Sequence, residues 1–189
     1  AVGDNDANGA MGYSIAFSDA NGNAGTAVTS GSGSVTIDNT HPSLSSVAAT
    51  DGAYGVGETL SITVTYDEAV DVSGTPTLSL DNGDTATYSS GTGSTALVFT
   101  TTIAEGDTDS SDLQVSSISG TVTDAAGNAA GAVSGDLGTV TVDGAVPVFS
   151  SVAATDGAYG VGEVLTITVT WGEAVVSTDA TLTLSNGDV

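Results

Sequence analysis

The side chains of this protein that could do chemistry are almost all oxygen donors, and none supplies a strong positive charge. Asp and Glu number 23 and Lys and Arg are absent, giving a formal charge of −23 over 189 residues. No carboxylate can therefore pair with Lys or Arg. Each must stay solvated, accept hydrogen bonds from backbone N–H groups, or bind a metal ion. Asp38, Glu68, Asp124 and Asn128 are the leading candidate ligands, with Asp143 and Glu173 standing one sequence period beyond Asp38 and Glu68. Carboxylate and amide oxygens suit calcium, which takes roughly six to eight of them in flexible geometry, better than magnesium, which demands stricter octahedral ligation.

Four further residues are secondary candidates. Asp67 lies beside Glu68, but Gly172 replaces it one period later. Asp4, Asp6 and Asn8 belong to Asp4-Asn5-Asp6-Ala7-Asn8-Gly9, which matches the first half of an EF-hand loop. Ile15 occupies the place of the closing Glu. The competing explanation for all these residues is turn chemistry, since Asp and Asn cap turns and Gly permits positive φ.

Other chemistries are disfavoured by composition. Nucleic-acid and anionic-lipid binding need cations to neutralise phosphate. His41 is the single histidine and Cys is absent, so neither zinc ligation nor a disulfide framework is expected. Ser is plentiful but has no recurring His–acid partner and no Lys base, so no enzyme is expected. Direct membrane insertion is not expected, for want of an apolar run of sufficient length.

The elements that must position the candidate ligands are short strands. Residues 60–66 alternate apolar and polar side chains strictly, as do 77–80 and 139–142. Ala96-Leu97-Val98-Phe99 reads as a more fully buried strand, and Asn82-Gly83 as a hairpin turn. Strands are expected at 46–50, 60–66, 77–80, 85–89, 95–103, 117–123 and 139–142. So many short strands in one small domain imply a two-sheet antiparallel sandwich.

Residues 45–58 recur unchanged as 150–163, a displacement of 105 residues, which is the length of a whole domain and too long for a solenoid unit. Residues 18–25 match 123–130 in the same way, and 35–38 match 140–143. Three segments follow: 1–44 holds the last strands of a preceding repeat, 45–146 a complete repeat, and 147–189 the first strands of a following one. The short linkers 39–42 and 144–147 each carry Pro, which favours a semi-rigid rod.

Asp-Ala-Ala-Gly-Asn at 124–128, Val-Thr-Val-Asp leading to Pro147, and Thr-Tyr-Asp-Glu-Ala-Val at 65–70 resemble bacterial immunoglobulin-like tandem repeats of large extracellular adhesins and related surface proteins. The resemblance implies tandem immunoglobulin-like sandwiches, an extracellular or cell-surface location, and calcium at the linkers. In such a sandwich the loops after the second and sixth strands return to the pole beside the incoming linker. That geometry would gather Asp38, Glu68, Asp124 and Asn128.

The reading that follows is a spacer stiffened by several structural calcium ions, whose partners are neighbouring repeats of the same chain. An alternative is a subunit of a self-assembling filament, sheath or surface layer, with other copies as partners. A third is a carbohydrate- or ice-binding module, using Tyr54, Tyr66, Tyr159 and Trp171 or rows of Thr.

Overall fold

Apolar residues at every second position give β-strands an inner face, and here that alternation builds the core. A computed structural model describes residue 3, residues 6–31 and residues 34–185. Its strands are β1 (Gly9–Ala10), β2 (Thr36–Ile37), β3 (Leu44–Ala49), β4 (Gly52–Gly55), β5 (Thr59–Leu80) and β6 (Thr85–Ser90). They continue with β7 (Ser94–Thr102), β8 (Gln114–Thr123), β9 (Gly135–Asp136), β10 (Val140–Asp143), β11 (Phe149–Ala154) and β12 (Ile167–Trp171). No helix occurs among the described residues, so none is long and apolar enough to cross a membrane. Contacts divide the chain into two units, Ala1–Gly144 and Ala145–Val189.

In the first unit, β5 organises the rest. Its first part pairs antiparallel with β3 on one side and β7 on the other. Its last part pairs with β8 and β6, so one 22-residue extended segment serves both layers of a β-sandwich. Separate strands at 60–66 and 77–80 with a loop between them were expected. The chain instead stays extended, because Val70 and Val72 keep the inward and partly inward positions filled. The passage between layers is made by a register shift against β7 between Thr65 and Val70, and by a second shift against β8 around Gly74-Thr75-Pro76. Gly74 takes φ 76° there, a left-handed conformation that glycine adopts without strain.

Leu60, Ile62, Val64, Leu78, Leu97 and Phe99 are fully buried in a single core. Tyr88 packs edge-on against Phe99 with ring centroids 5.8 Å apart. Ala96 and Val98 are only partly buried, so the 96–99 run has one buried face where two were expected. Their side of β7 is the outer face of the sheet, shared with Thr63 and Thr65 of β5. β4 falls where an interstrand loop was expected and pairs parallel with β10, Val140 opposite Gly52 through Asp143 opposite Gly55. On its other edge β10 exchanges hydrogen bonds with the segment before β8, where Leu113 N donates to Val140 O.

Residues 9–31 and 34–37 of this unit form a long antiparallel hairpin. β1 pairs with β2, bridges join Ile15 to Val28 and Ser18 to Ala24, and Asp19–Asn23 forms the tip. Phe17, Val28 and Val35 are exposed along it. The second unit is built on β11 and β12, with Phe149 edge-on to Trp171 at 6.3 Å.

The two copies of one leucine provide a test of this packing. Leu60 is 0% exposed and its repeat counterpart Leu165 is 41% exposed. In dilute protein, Leu60→Ala is expected to lower unfolding stability of the first unit by about 2–5 kcal/mol. Leu165→Ala is expected to change stability by under about 0.5 kcal/mol. Denaturant titration of both variants checks the contrast.

Candidate metal centre

Three carboxylates from distant parts of the sequence meet at one end of the sandwich. Asp38, Glu68 and Asp124 each place an oxygen within 4.8 Å of the others'. Asp38 follows β2 and is exposed, Glu68 lies within β5 and is partly buried, and Asp124 follows β8 and is 4% exposed. Successive side chains of an extended chain point to opposite sides. Glu68 therefore shares the inward parity of Tyr66 and Val70, both buried, which carries its carboxyl into the end of the sandwich. Asp67 has the opposite parity. Its Oδ1 accepts from Ser43 N at 2.8 Å and its own N–H donates to Ser43 O at 3.0 Å, tying β5 to the start of β3.

Asp124 is held by the hairpin tip that it begins. Its Oδ1 accepts from Ala126 N at 2.8 Å and Asn128 N at 2.9 Å, and its Oδ2 from Asn128 Nδ2 at 2.7 Å. Gly127 completes the turn with φ 97°. Asn128 Nδ2 also donates to Asp38 O at 3.0 Å, so this amide clamps the incoming linker to the tip. Asp38 Oδ1 accepts from Thr40 N at 3.0 Å and Asn8 Nδ2 at 3.4 Å. Asn8 reaches the same linker through Thr40 Oγ1 and Asn39 N, both at 2.6 Å. Asp6 Oδ2 accepts from Gly3 N at 2.8 Å, and the Asp6 carbonyl accepts from Asn39 Nδ2. Asp6 and Asn8 thus brace the linker from its far side. Asp4 lies outside the described residues.

Two further contacts hold the linker. The Nδ1–H of exposed His41 donates to Ala129 O at 2.8 Å, and Gly131 N donates to Pro42 O at 2.9 Å. Neither contact, nor the Asn8 brace, was foreseen from sequence, because each joins residues more than 25 positions apart. An open polar groove runs beside Asp38, lined by Thr36, Asn39, Ala125, Ala126 and Asn128. Asp143 closes β10 in the first unit, and Glu173 is partly buried in the second.

No protein-family model, curated protein or solved structure matches this chain. The chemistry of the centre therefore rests on its own geometry. Glu68 Oε1 is buried and has no hydrogen-bond partner. Burial pushes the Glu68 carboxyl above the ordinary glutamate range, and the charges of Asp124, Asp38 and Asp67 push it further. Burial alone would raise Asp124 too, but hydrogen bonds from Asn128, Ala126 and Gly127 outweigh it and hold Asp124 below the ordinary aspartate range. The same tip recurs at Asp19, whose oxygens accept from Asn21 N, Asn23 N and Asn23 Nδ2; the Asn23 side chain is the main cause of its lowered pKa. Carboxylates at this spacing, one of them without a donor, can share a hard cation.

These opposed shifts set the acid response of cation-free protein. The penalty for ionised Glu68 is present above its raised folded pKa and is relieved as pH falls through it. The stability contributed by Asp124 is present above its unfolded value and is lost as pH falls through its depressed folded value. In chelator, the melting temperature of wild type is expected to gain relative to Glu68→Gln as pH drops from neutral through the Glu68 transition. The two proteins should then share the loss that accompanies Asp124 protonation. Parallel thermal melts across pH measure the difference, expected to be on the order of a few degrees.

Proposed function

We propose that this chain is a structural spacer segment of a secreted or cell-surface array of immunoglobulin-like repeats, stiffened by calcium where one repeat meets the next. The observation that carries the reading is the trio Asp38, Glu68 and Asp124, with Glu68 Oε1 buried and unpartnered, in a protein without Lys or Arg. Asp38 belongs to the linker side, Glu68 to the strand shared by both layers, and Asp124 to the hairpin tip. A cation held by all of them would tie the linker to the body of the repeat, adding to the direct hydrogen bonds from Asn128, His41 and Gly131. The hard-oxygen donors suit calcium, with water completing the shell.

The role is mechanical, with no catalytic step. Support comes from the domain-length repeat, the Pro-containing linkers and the resemblance to adhesin repeats. A sugar-binding role for the repeated tyrosines has less support. Tyr54 OH donates to Thr50 O at 2.9 Å and Tyr159 OH to Thr155 O at 2.7 Å, so both hydroxyls are used within their own loops.

Calorimetry and thermal melting test the proposal. Calcium at a hundredfold excess over its dissociation constant is expected to stabilise the first unit by about 2.7 kcal/mol per site. Asp124→Asn and Glu68→Gln should each abolish most of that gain. A melting temperature indifferent to calcium and chelator, with no heat of binding, would reject the cation and with it the stiffened junction.

A further inference from the structure

Asn followed by Gly is a pair prone to lose the Asn amide, because glycine leaves its own backbone nitrogen room to attack. The pair occurs at Asn8-Gly9, Asn21-Gly22 and Asn82-Gly83, and at Asn186-Gly187, which lies outside the described residues. Attack requires a side chain free to turn its carbonyl carbon onto the nitrogen of the next residue. Two of the three described pairs lack that freedom. Asn82 Nδ2 donates to Asp84 Oδ2 at 2.7 Å and to Thr108 O at 3.2 Å, and Asn82 Oδ1 accepts from Asp84 N at 3.1 Å. Asn8 Oδ1 accepts from Asn39 N and Asn8 Nδ2 donates to Thr40 Oγ1, both at 2.6 Å. Asn21 differs. Its side chain is exposed and holds no hydrogen bond to the described residues, only its backbone N–H being engaged, on Asp19 Oδ1 at 2.9 Å.

This exposure belongs to the tip itself, since the counterpart Ala126 is exposed in the complete repeat as well. Gly22 N donates to Asp19 O at 3.0 Å and Gly83 N to Leu80 O at 3.2 Å, so freeing the attacking nitrogen costs much the same at both. The side chain decides between them.

We propose that Asn21 is a site of spontaneous deamidation, singled out from the other described Asn-Gly pairs by the fold. The Gly22 nitrogen gives up its proton and attacks Asn21 Cγ, forming a C–N bond that closes a cyclic imide. The bond from Cγ to Nδ2 breaks, and Nδ2 leaves as ammonia with a proton taken from solvent. Water then opens the imide at either carbonyl, leaving aspartate or isoaspartate. Nothing is oxidised or reduced, and water is the sole co-reactant. Either product adds a negative charge beside Asp19. The isoaspartyl product also places an extra methylene in the main chain of the turn. That displaces Asn23, whose N–H and Nδ2 bind Asp19 at 2.9 and 2.8 Å. The tip therefore loosens with age. No metal takes part, so the inference is independent of the cation reading.

Mass-spectrometric peptide mapping of the full chain, incubated in mildly alkaline buffer below its melting temperature, tests it. Trypsin has no site in a chain without Lys or Arg, but cleavage after Phe17 and Tyr54 separates Asn21 from Asn8 and Asn82. Asn21 is expected to gain the mass of an amide turned acid at least about tenfold faster than Asn8 or Asn82. That factor corresponds to roughly one net hydrogen bond broken on the way to the transition state. In urea the ratio should largely collapse. Asn21→Ala, which installs the residue found at 126, should remove the gain from this peptide and leave the melt of the first unit unchanged. An Asn21 that reacts no faster than Asn8 or Asn82 in the folded chain, a ratio unchanged in urea, or a gain that persists in the variant would each overturn the proposal.

Discussion

Without Lys or Arg, no permanently charged cationic side chain of this polypeptide can neutralise a buried carboxylate, and the architecture follows from that constraint. Where acids meet backbone N–H groups, as at Asp19, Asp67 and Asp124, they become turn-forming and strand-tying elements. Where sandwich geometry draws them together without donors, as at Glu68, an oxygen is left buried without a partner and the carboxyl holds its proton more tightly. Dispersing acids into loops keeps the sheet faces free for Thr and Ser outside and aliphatic residues inside. A fold can then tolerate a charge of −23 that would otherwise oppose compaction.

Strand β5 is the second organising feature, and it links the core to the centre. The same alternation that buries Leu60, Ile62 and Val64 carries on to Tyr66, Glu68 and Val70. A polar residue thereby appears in an inward series just where the strand passes from one layer to the other. Packing and the placement of the Glu68 carboxyl are thus one property of a continuous strand. A substitution that shifted its register by one residue would expose the core and turn Glu68 outward together.

Much of this was legible in the sequence. Strands expected at 46–50, 85–89, 95–103, 117–123 and 139–142 lie within a few residues of β3, β6, β7, β8 and β10, although strict alternation marked only the last of these and the two ends of β5. Asp38, Glu68 and Asp124 were named as converging from loop positions in a sandwich, and they do lie together. The distinction between Asp67 and Glu68 could have been read as well, since inward parity counted from Leu60 selects Glu68. Three features were hidden. Continuity of β5 depends on pairing partners far away in sequence, Ser94 opposite Val70 and Thr123 opposite Asp71. The β4–β10 pair joins residues at opposite ends of the repeat, and Gly-Ala-Tyr-Gly has no strand alternation of its own. The brace from Asn8 uses a side chain whose local sequence looks like any polar turn.

The parallel pairing of β4 with β10 bears on how the repeat responds to tension. β4 lies just after the entering strand β3, and β10 just before the chain leaves the repeat. Pulling on the two ends drags these neighbours in opposite directions along their own axes. The hydrogen bonds between Gly52–Gly55 and Val140–Asp143 are then loaded in shear, side by side, and must rupture together instead of peeling one by one. An acidic sandwich with a modest core can, by that arrangement, act as a clamp against force.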